Sequence, residues 1–275
     1  MQMTFLGTGA AEAIPDPFCS CRVCEIARRE GGPHVRARSA ALVNEDLLID
    51  LGPDILTSAN QARAFLGGLK GLLITHRHSD HWLPQNLYWR RAGFTPTEMV
   101  PLTVYGPADA MADLTPDFGE AAHFTWKTVA AGDRWELGSY TITAVPATHG
   151  GGMLEPLLYV IEQAGKKLFY ATDTAPLGEA AWEVLAPLGP MDVIALDATT
   201  GLLPGGDGHH SFDAFVDTRA ELIHRGVMVP GKTVLIAHHF SHNGLFTHDE
   251  LVAAYGAYGV DVAYDGMEVG IGEKG

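Results

Sequence analysis

Short apolar runs recur along the chain, and turn-forming residues separate them. Several runs are continuously apolar rather than alternating, which is typical of strands covered on both faces. The runs that we expect to form strands are MTFLG, ALVNEDLLIDLG, GLLIT, LTVYG, YTITAVPA, LLYVIE, KLFYATD, VIALDA, TVLIAH and VDVAYDG.

Helical periodicity lies between these runs, in DILTSANQARAFLGG, EAAWEVLAPLG, SFDAFVDTRAELIHRG and THDELVAAYGAYG. Thr247 is placed to cap the last of these helices, and two acidic residues follow it in the first turn. The pattern predicts two sheets with helices outside them, in a single α/β domain over residues 1–275. The glycine-rich segment 201–210, GLLPGGDGHH, is expected to be a mobile loop near a site.

Composition narrows the choice of partners. The 275 residues are 47% hydrophobic, which is enough for a large core. Lysine and arginine number 18 against 33 aspartates and glutamates. The net charge of −15 would repel a phosphate backbone, so we expect no nucleic-acid partner. The start, MQMTFLGTGAAEAIP, lacks the pattern of a signal peptide, and no window approaches a membrane span. We therefore expect a cytoplasmic protein without membrane contact, and base rates favour a homodimer.

A cluster of metal-binding residue types follows the apolar run GLLI. The stretch ITHRHSDHW contains His76, His78, Asp80 and His81. These side chains would stand at the carboxyl end of a strand, where open α/β sheets place their chemistry. Imidazole and carboxylate groups suit Zn²⁺, Mn²⁺ or Fe²⁺, so the four groups are candidate ligands for one or two ions.

Further candidate ligands follow later strands. His149 lies in PATHGG, Asp173 in YATDT, and the pair His238 and His239 in LIAHHFSH. Two nearby ions could share Asp173 as a bridging carboxylate, while His149 and one histidine of the pair complete the two shells. Such a dinuclear centre is what a metal-dependent hydrolase needs.

The three cysteines of the chain, Cys19, Cys21 and Cys24, all lie in FCSCRVC. Their number is odd and their spacing is too short for a disulfide framework, so metal binding is the better interpretation. Three thiolates need one further ligand to form a tetrahedral structural zinc site.

The ordered ligand pattern resembles the metallo-β-lactamase superfamily, over nearly the whole chain from MTFLGTGA to DGMEVGI. The resemblance implies an αββα sandwich, in which two mixed β-sheets are flanked by helices. It implies a pair of divalent ions, zinc or manganese, held by His76, His78 and His149 at one metal, by Asp80, His81 and His239 at the other, and by Asp173 between them. The chain departs from the superfamily at Pro84 in HWLPQNL, where a glycine is common, and Pro84 is expected to begin a helix.

The cysteines are similar to those of one branch, the PhnP-like phosphodiesterases, which act on phosphoribosyl cyclic phosphates in phosphonate breakdown. This branch shares GTGAAEA near the start, a histidine pair matching His239 and His242, and the ending YDGMEVGI. The resemblance implies that His242 completes one structural zinc with a cysteine loop at about residues 18–25. It also implies a general acid at His210, although the neighbouring His209 is an alternative.

The resulting hypothesis is a phosphodiesterase for small, including cyclic ribosyl, phosphodiesters, in which a metal-bound hydroxide attacks phosphorus and Asp80 serves both as ligand and in catalysis. Alternatives on the same fold are a PqqB-like cofactor-biosynthesis or carrier protein, a tRNase Z-like enzyme and a lactonase or β-lactamase. Asp50, in LLIDLG, is expected either to hydrogen-bond a ligand histidine or to cap a strand end.

Overall fold

The structure is a computed structural model that describes residues 1–204 and 208–272. Two seven-stranded mixed sheets form its centre. In the first sheet the strand order is β14-β1-β2-β3-β4-β5-β6, and in the second it is β13-β12-β11-β10-β9-β8-β7. The strands are β1 Gln2–Gly7, β2 Ala40–Val43, β3 Leu47–Ile49, β4 Gly71–Leu73, β5 Leu102–Gly106, β6 Phe124–Thr128, β7 Arg134–Leu137, β8 Tyr140–Pro146, β9 Leu157–Gln163, β10 Lys166–Ala171, β11 Val193–Asp197, β12 Val234–His238, β13 Asp261–Val262 and β14 Glu268–Gly270.

Helices cover the outer face of each sheet. The α-helices are α1 Arg22–Glu30, α2 Ile55–Gln61, α3 Ala108–Met111, α4 Pro116–Ala121, α5 Glu179–Leu185, α6 Phe212–His224 and α7 His248–Gly256. Short 3-10 helices span Gly32–His34, Leu66–Gly68, Pro84–Arg90, Gly150–Gly152, Ala186–Leu188 and His242–Gly244. The predicted cap of α7 is confirmed as a reciprocal capping box, in which Thr247 accepts from the Glu250 amide and the Glu250 side chain accepts from the Thr247 amide.

Three apolar clusters explain why the sheets stack. The cluster between the sheets includes Phe5 of β1 and Tyr170 of β10, both fully buried. A second cluster lies between the second sheet and helices α5, α6 and α7, and includes Trp182 and Phe215. A third lies outside the first sheet. Both sheets are therefore buried on two faces, which explains the continuously apolar strands.

The topology gathers the carboxyl ends of several strands at one edge. Strands β3 to β6 are mutually parallel, as are β10 to β13. Strand β8 runs in the direction of β10, because β9 is antiparallel to both. Residues that follow β4, β8, β10 and β12 therefore meet at the same rim of the sandwich.

The predicted αββα sandwich is confirmed, with local corrections. The run ALVNEDLLIDLG forms two antiparallel strands, β2 and β3, and VDVAYDG contributes only the short strand β13. The cysteine segment is only partly a loop, because Cys24 lies in the first turn of α1. Pro84 begins a 3-10 helix.

Of the predicted loop 201–210, residues 205–207 lie outside the described residues. Among the helices that are described, none is long and apolar enough to cross a membrane.

Candidate metal centre

Sharp turns at strand ends carry the candidate ligands into one rim cavity. His76 follows the end of β4 after two intervening residues, and Asp173 follows the end of β10 after one. His239 directly follows β12. Asp173 and His239 adopt left-handed backbone conformations, with φ of 49° and 65°. Such conformations are uncommon for residues other than glycine and concentrate at functional sites. Here each one redirects the chain so that the side chain faces the shared edge.

The first donor group contains three imidazoles. The Nε2 atom of His76 lies 3.0 Å from Nδ1 of His78, and Nε2 of His149 lies 3.2 Å from the same Nδ1 atom. These donor atoms all lie within 4.8 Å of one another. His76 is buried whereas His78 is exposed, so the group is open to solvent on one side.

The second donor group shares a carboxylate with the first. Nε2 of His81 lies 2.6 Å from Asp173 Oδ2 and 3.1 Å from Asp80 Oδ2, and Nε2 of His239 lies 2.9 Å from Asp173 Oδ1. Asp173 Oδ2 also lies 3.3 Å from His76 Nε2. Asp173 therefore contacts both groups, as a bridging carboxylate would.

The donor set fits divalent cations. Within the described residues, His81 Nε2, His239 Nε2 and Asp173 Oδ1 are buried without a hydrogen-bond partner, although other donor atoms lie close to them. Buried polar atoms that converge without hydrogen-bond geometry are expected where they share a bound cation. The charges around His81 also favour a bound cation. Burial lowers the pKa of His81, but the negative charges of Asp173, Asp50 and Asp80 outweigh burial and raise that pKa well above its usual value. The same carboxylates attract a metal ion.

Hydrogen bonds behind the ligands fix which ring nitrogen faces the cavity. Asp50 is fully buried, accepts from the Thr75 amide at 2.8 Å and accepts from His81 Nδ1 at 2.7 Å. His239 Nδ1 donates to Thr199 Oγ1 at 2.8 Å, and His149 Nδ1 donates to the Gly208 carbonyl at 3.0 Å. Each of these bonds leaves Nε2 available as a metal ligand, which is how metal-binding histidines are usually oriented.

A cavity of about 320 Å³ opens over both donor groups. Its remaining lining includes Ala10, Ala11, Glu12, Thr199, Ser241 and Asn243, together with His209. The Nδ1 atom of His209 donates to Asp197 Oδ2 at 2.9 Å. Burial lowers the pKa of His209, but this bond and the charge of Asp197 outweigh it and raise the pKa to about 9.

His210, the general acid expected from the sequence, does not line this cavity. Its ring is fully buried, with Nδ1 donating to the Thr174 carbonyl at 2.7 Å and Nε2 lying 2.9 Å from Thr218 Oγ1. Ser211 caps helix α6 by accepting from the Ala214 amide. Because both ring nitrogens of His210 are already bonded inside the protein, His210 is not placed to donate a proton into the cavity, contrary to the expectation from the sequence, and His209 is the histidine that lines it.

The two histidines at the end of β12 also differ in position: His238 is buried away from the cavity, whereas His239 lines it. The ring of His238 is fully buried between the sheets. Its centroid lies 5.6 Å from the ring centroid of Phe5 and 5.0 Å from that of Tyr170. Burial lowers the pKa of His238 to about 3. His239 is the member of the pair that the structure brings to the donor groups.

The cysteine site lies next to the same rim. Cys19, Cys21, Cys24 and His242 bring one ligand atom each to within 4.8 Å of the others, and Cys21 Sγ lies 3.5 Å from His242 Nδ1. Burial raises the pKa of Cys24 to about 12. Burial also opposes ionisation of Cys21, but hydrogen bonds from the Cys24 backbone and the His242 side chain lower its pKa to about 7. The set of three sulfurs and one imidazole nitrogen suits a tetrahedral zinc.

Sequence reasoning missed three residues at the site, Glu12, Asp197 and Thr199, and it named His209 only as an alternative to His210. Asp197 lies next to the end of the predicted run VIALDA and is the last residue of β11. This position was the one available signal, because carboxyl ends of parallel strands carry functional residues. Glu12 lies in GTGAAEA, where neither charge nor spacing distinguishes it from a loop residue.

Comparisons with known proteins agree with this fold. A family model described as a beta-lactamase superfamily domain matches residues 45–240. A ribonuclease Z from Mycobacterium sp. (strain KMS) is 27% identical over 194 residues, 64% of this chain and 62% of that protein, so the chain matches less than two thirds of this relative's length. A diphosphatase of the PhnP family superposes with a TM-score of 0.74 at 22% identity, over 98% of this chain and 97% of the other. Zinc-bound PqqB from Methylobacterium extorquens superposes with a TM-score of 0.70 at 20% identity, over 98% and 100%. The chain belongs to the beta-lactamase superfamily and has the fold of the metallo-β-lactamase hydrolases.

Proposed function

We propose that this chain is a metal-dependent phosphodiesterase acting on small phosphodiesters, cyclic ribosyl phosphates among them. The observation that carries the proposal is the arrangement of two donor groups that share Asp173 beneath a cavity lined by His209, whose ring is hydrogen-bonded to the buried Asp197. A zinc site made of three thiolates suits a cytoplasmic location, where thiols stay reduced.

The ligands divide between two ions. His76, His78 and His149 would hold one divalent ion, and Asp80, His81 and His239 the other, with Asp173 between them. Imidazole and carboxylate accept zinc or manganese. When bound, such a pair neutralises charge on phosphoryl oxygens and lowers the pKa of water. A third ion, a structural zinc, would occupy Cys19, Cys21, Cys24 and His242.

The protein's own contribution to the reaction is a positioned proton. Asp197 raises the pKa of His209 to about 9, so the imidazolium form is retained at neutral pH. A proton held there can be transferred to the alkoxide expelled from phosphorus, which is the step that limits esters with poor leaving groups. Asp197 also fixes the ring, because its carboxylate is fully buried and accepts from Thr199 at 3.0 Å.

Adjacent histidines provide a matched test. We expect His209→Gln to lower kcat by roughly 10²- to 10⁴-fold on an alkyl phosphodiester, and by much less on bis(p-nitrophenyl) phosphate, whose leaving group needs no proton. His210→Gln should reduce thermal stability and change both activities by a similar factor, because His210 bonds only inside the protein. Metal content is measured in parallel. Loss of an ion from His209→Gln would make His209 a ligand instead of the acid, and no turnover of either ester by metal-loaded protein would refute the phosphodiesterase.

Cleavage of precursor tRNA is the second candidate, favoured by the ribonuclease Z relatives. The net charge of −15 opposes it, since tRNA binding needs a basic surface. An assay on precursor tRNA, run beside the small phosphodiesters at equal enzyme concentration, separates the two. The same preparation tested on a lactone and a β-lactam covers ester and amide hydrolysis, and a metal-filled protein inactive on all of these substrates would favour a carrier role.

A further inference from the structure

One wall of the cavity over the two donor groups is built from polar side chains that belong to neither donor group. Glu12, Ser241 and Asn243 all line the cavity. The Glu12 Oε1 atom accepts a hydrogen bond from Ser241 Oγ and another from Asn243 Nδ2, the latter at 3.2 Å. The Ser241 hydroxyl in turn accepts from the Asn243 amide at 3.0 Å. These bonds hold the Glu12 carboxylate in a fixed orientation at the wall.

One of the two carboxylate oxygens of Glu12 remains available to accept a hydrogen bond from a ligand. The Glu12 side chain is 25% exposed, and its Oε2 atom accepts no hydrogen bond from any residue that the structure describes. A fixed carboxylate oxygen next to a hydroxyl and an amide is a good acceptor for hydroxyl groups. Nucleotide-binding sites use the same chemistry when an acidic residue accepts a hydrogen bond from a ribose hydroxyl.

The wall is unsuited to a second anionic group. Phosphate groups are usually bound by arginine or lysine. Among the described residues that line this cavity, neither type occurs. A phosphate placed against Glu12 would meet a like charge in a partly buried cavity, where charge repulsion is screened less than at an open surface.

We infer that Glu12, with Ser241 and Asn243, forms a subsite for hydroxyl groups on the part of the substrate that stays attached to phosphorus, and that it disfavours a second phosphate there. The inference rests on the proposed phosphodiesterase function and narrows its substrates to phosphodiesters of neutral sugars or polyols. Glu12 is thus a specificity residue.

Three p-nitrophenyl phosphodiesters with the same leaving group test the subsite, their second ester being ethyl, 2,3-dihydroxypropyl or 2-phosphoethyl. For the dihydroxypropyl ester only turnover that yields the open-chain 2,3-dihydroxypropyl phosphate is counted, because its neighbouring hydroxyl can also attack phosphorus and form a cyclic phosphate. Wild-type, metal-loaded protein should show kcat/KM about tenfold higher for the dihydroxypropyl ester than for the ethyl ester, and about tenfold lower for the phosphoethyl ester. In Glu12→Gln the first ratio should fall to about threefold or less, and the penalty on the phosphorylated ester should largely disappear.

Asp16→Asn is the matched control. Both carboxylates approach the same ring nitrogen of His242, Glu12 Oε1 at 3.7 Å and Asp16 Oδ2 at 3.5 Å, but Asp16 does not line the cavity. If Asp16→Asn changed the two ratios as much as Glu12→Gln does, the effect would act through His242 and the inference would be wrong. Equal kcat/KM for the three esters in the wild type would also overturn it. Absence of turnover on every ester would instead refute the phosphodiesterase itself.

Discussion

Helix α1 should depend on a metal ion at the cysteine site, because its apolar support is small. The cluster behind it consists of Ile14, Val23 and Ala27. Burying the first two contributes roughly 1.5–3 kcal/mol each, and the alanine less, for a total of about 5 kcal/mol. Fixing the backbone of the nine residues of α1 costs roughly 9–18 kcal/mol. The shortfall of about 4–13 kcal/mol is comparable to the roughly 10–16 kcal/mol that structural zinc sites supply.

The substitution Cys24→Ser, which removes a buried thiol from the candidate zinc site, therefore should release the helix. We expect the purified variant to contain about one zinc fewer per chain and to be cut by trypsin at Arg28 and Arg29 much faster than the parent, with catalytic metals resupplied to both. Ser20→Ala is the control, since Ser20 is exposed in the same segment and offers no thiolate. Full zinc content together with unchanged protection of these arginines would refute the reasoning.

Three further predictions concern one carboxyl that accepts hydrogen bonds from Thr8 and from the Ala37 amide, and two hydrogen-bond partners of the candidate ligands. Burial raises the pKa of Asp265 to about 6, above the ordinary 3.8, so its stabilising contribution is present below about pH 4 and lost as the pH rises through 6. The unfolding free energy of the wild type relative to Asp265→Asn should therefore fall by about 3 kcal/mol over that window in denaturant titrations, whereas a constant difference would contradict the shift. Asp50→Asn should weaken metal affinity by roughly 10- to 100-fold in metal titrations, because it disturbs the partner of His81; unchanged affinity would mean that Asp50 only caps its strand. Thr199→Val should lower kcat by about tenfold with metals retained, and Thr200→Val, whose hydroxyl contacts backbone carbonyls, should not.

The sequence predicted the buried strands better than the edge strands and α1. The predicted strands are apolar because both sheet faces are covered. Edge strands β6 and β7, FTWKT and RWEL, alternate with exposed polar positions and contain too few apolar residues to form a run. Helix α1 contains five charged residues and only a small buried stripe. Its helical state depends on contacts distant in sequence, such as the ion pair between Arg22 and Glu250, which no local pattern contains.

The candidate ligand motif is readable from the sequence because it is local, but which of two adjacent histidines lines the cavity is not. His209 and His210 are adjacent and chemically identical, and the choice between them depends on where helix α6 begins. Ser211 caps that helix, and the His210 amide approaches Asp197 Oδ1 at 3.2 Å. With the backbone fixed there, the His210 ring faces the interior and the His209 ring faces the cavity. Residue type and spacing cannot distinguish these two orientations.

The pair at the end of β12 shows which additional information would have sufficed. Successive side chains of a strand face opposite sides of the sheet. Ile236 lies in the cluster between the sheets, whereas Leu235 and Ala237 lie in the cluster beneath the helices. His238 shares the parity of Ile236, so its ring is committed to the space between the sheets, and His239, in the left-handed turn that follows, is the histidine left for the metal. Parity alone would have settled the choice if one face of β12 were polar. Because both faces are apolar, the sequence carries no mark of which face is which, and the identity of the ligand follows only from the packing of the two sheets.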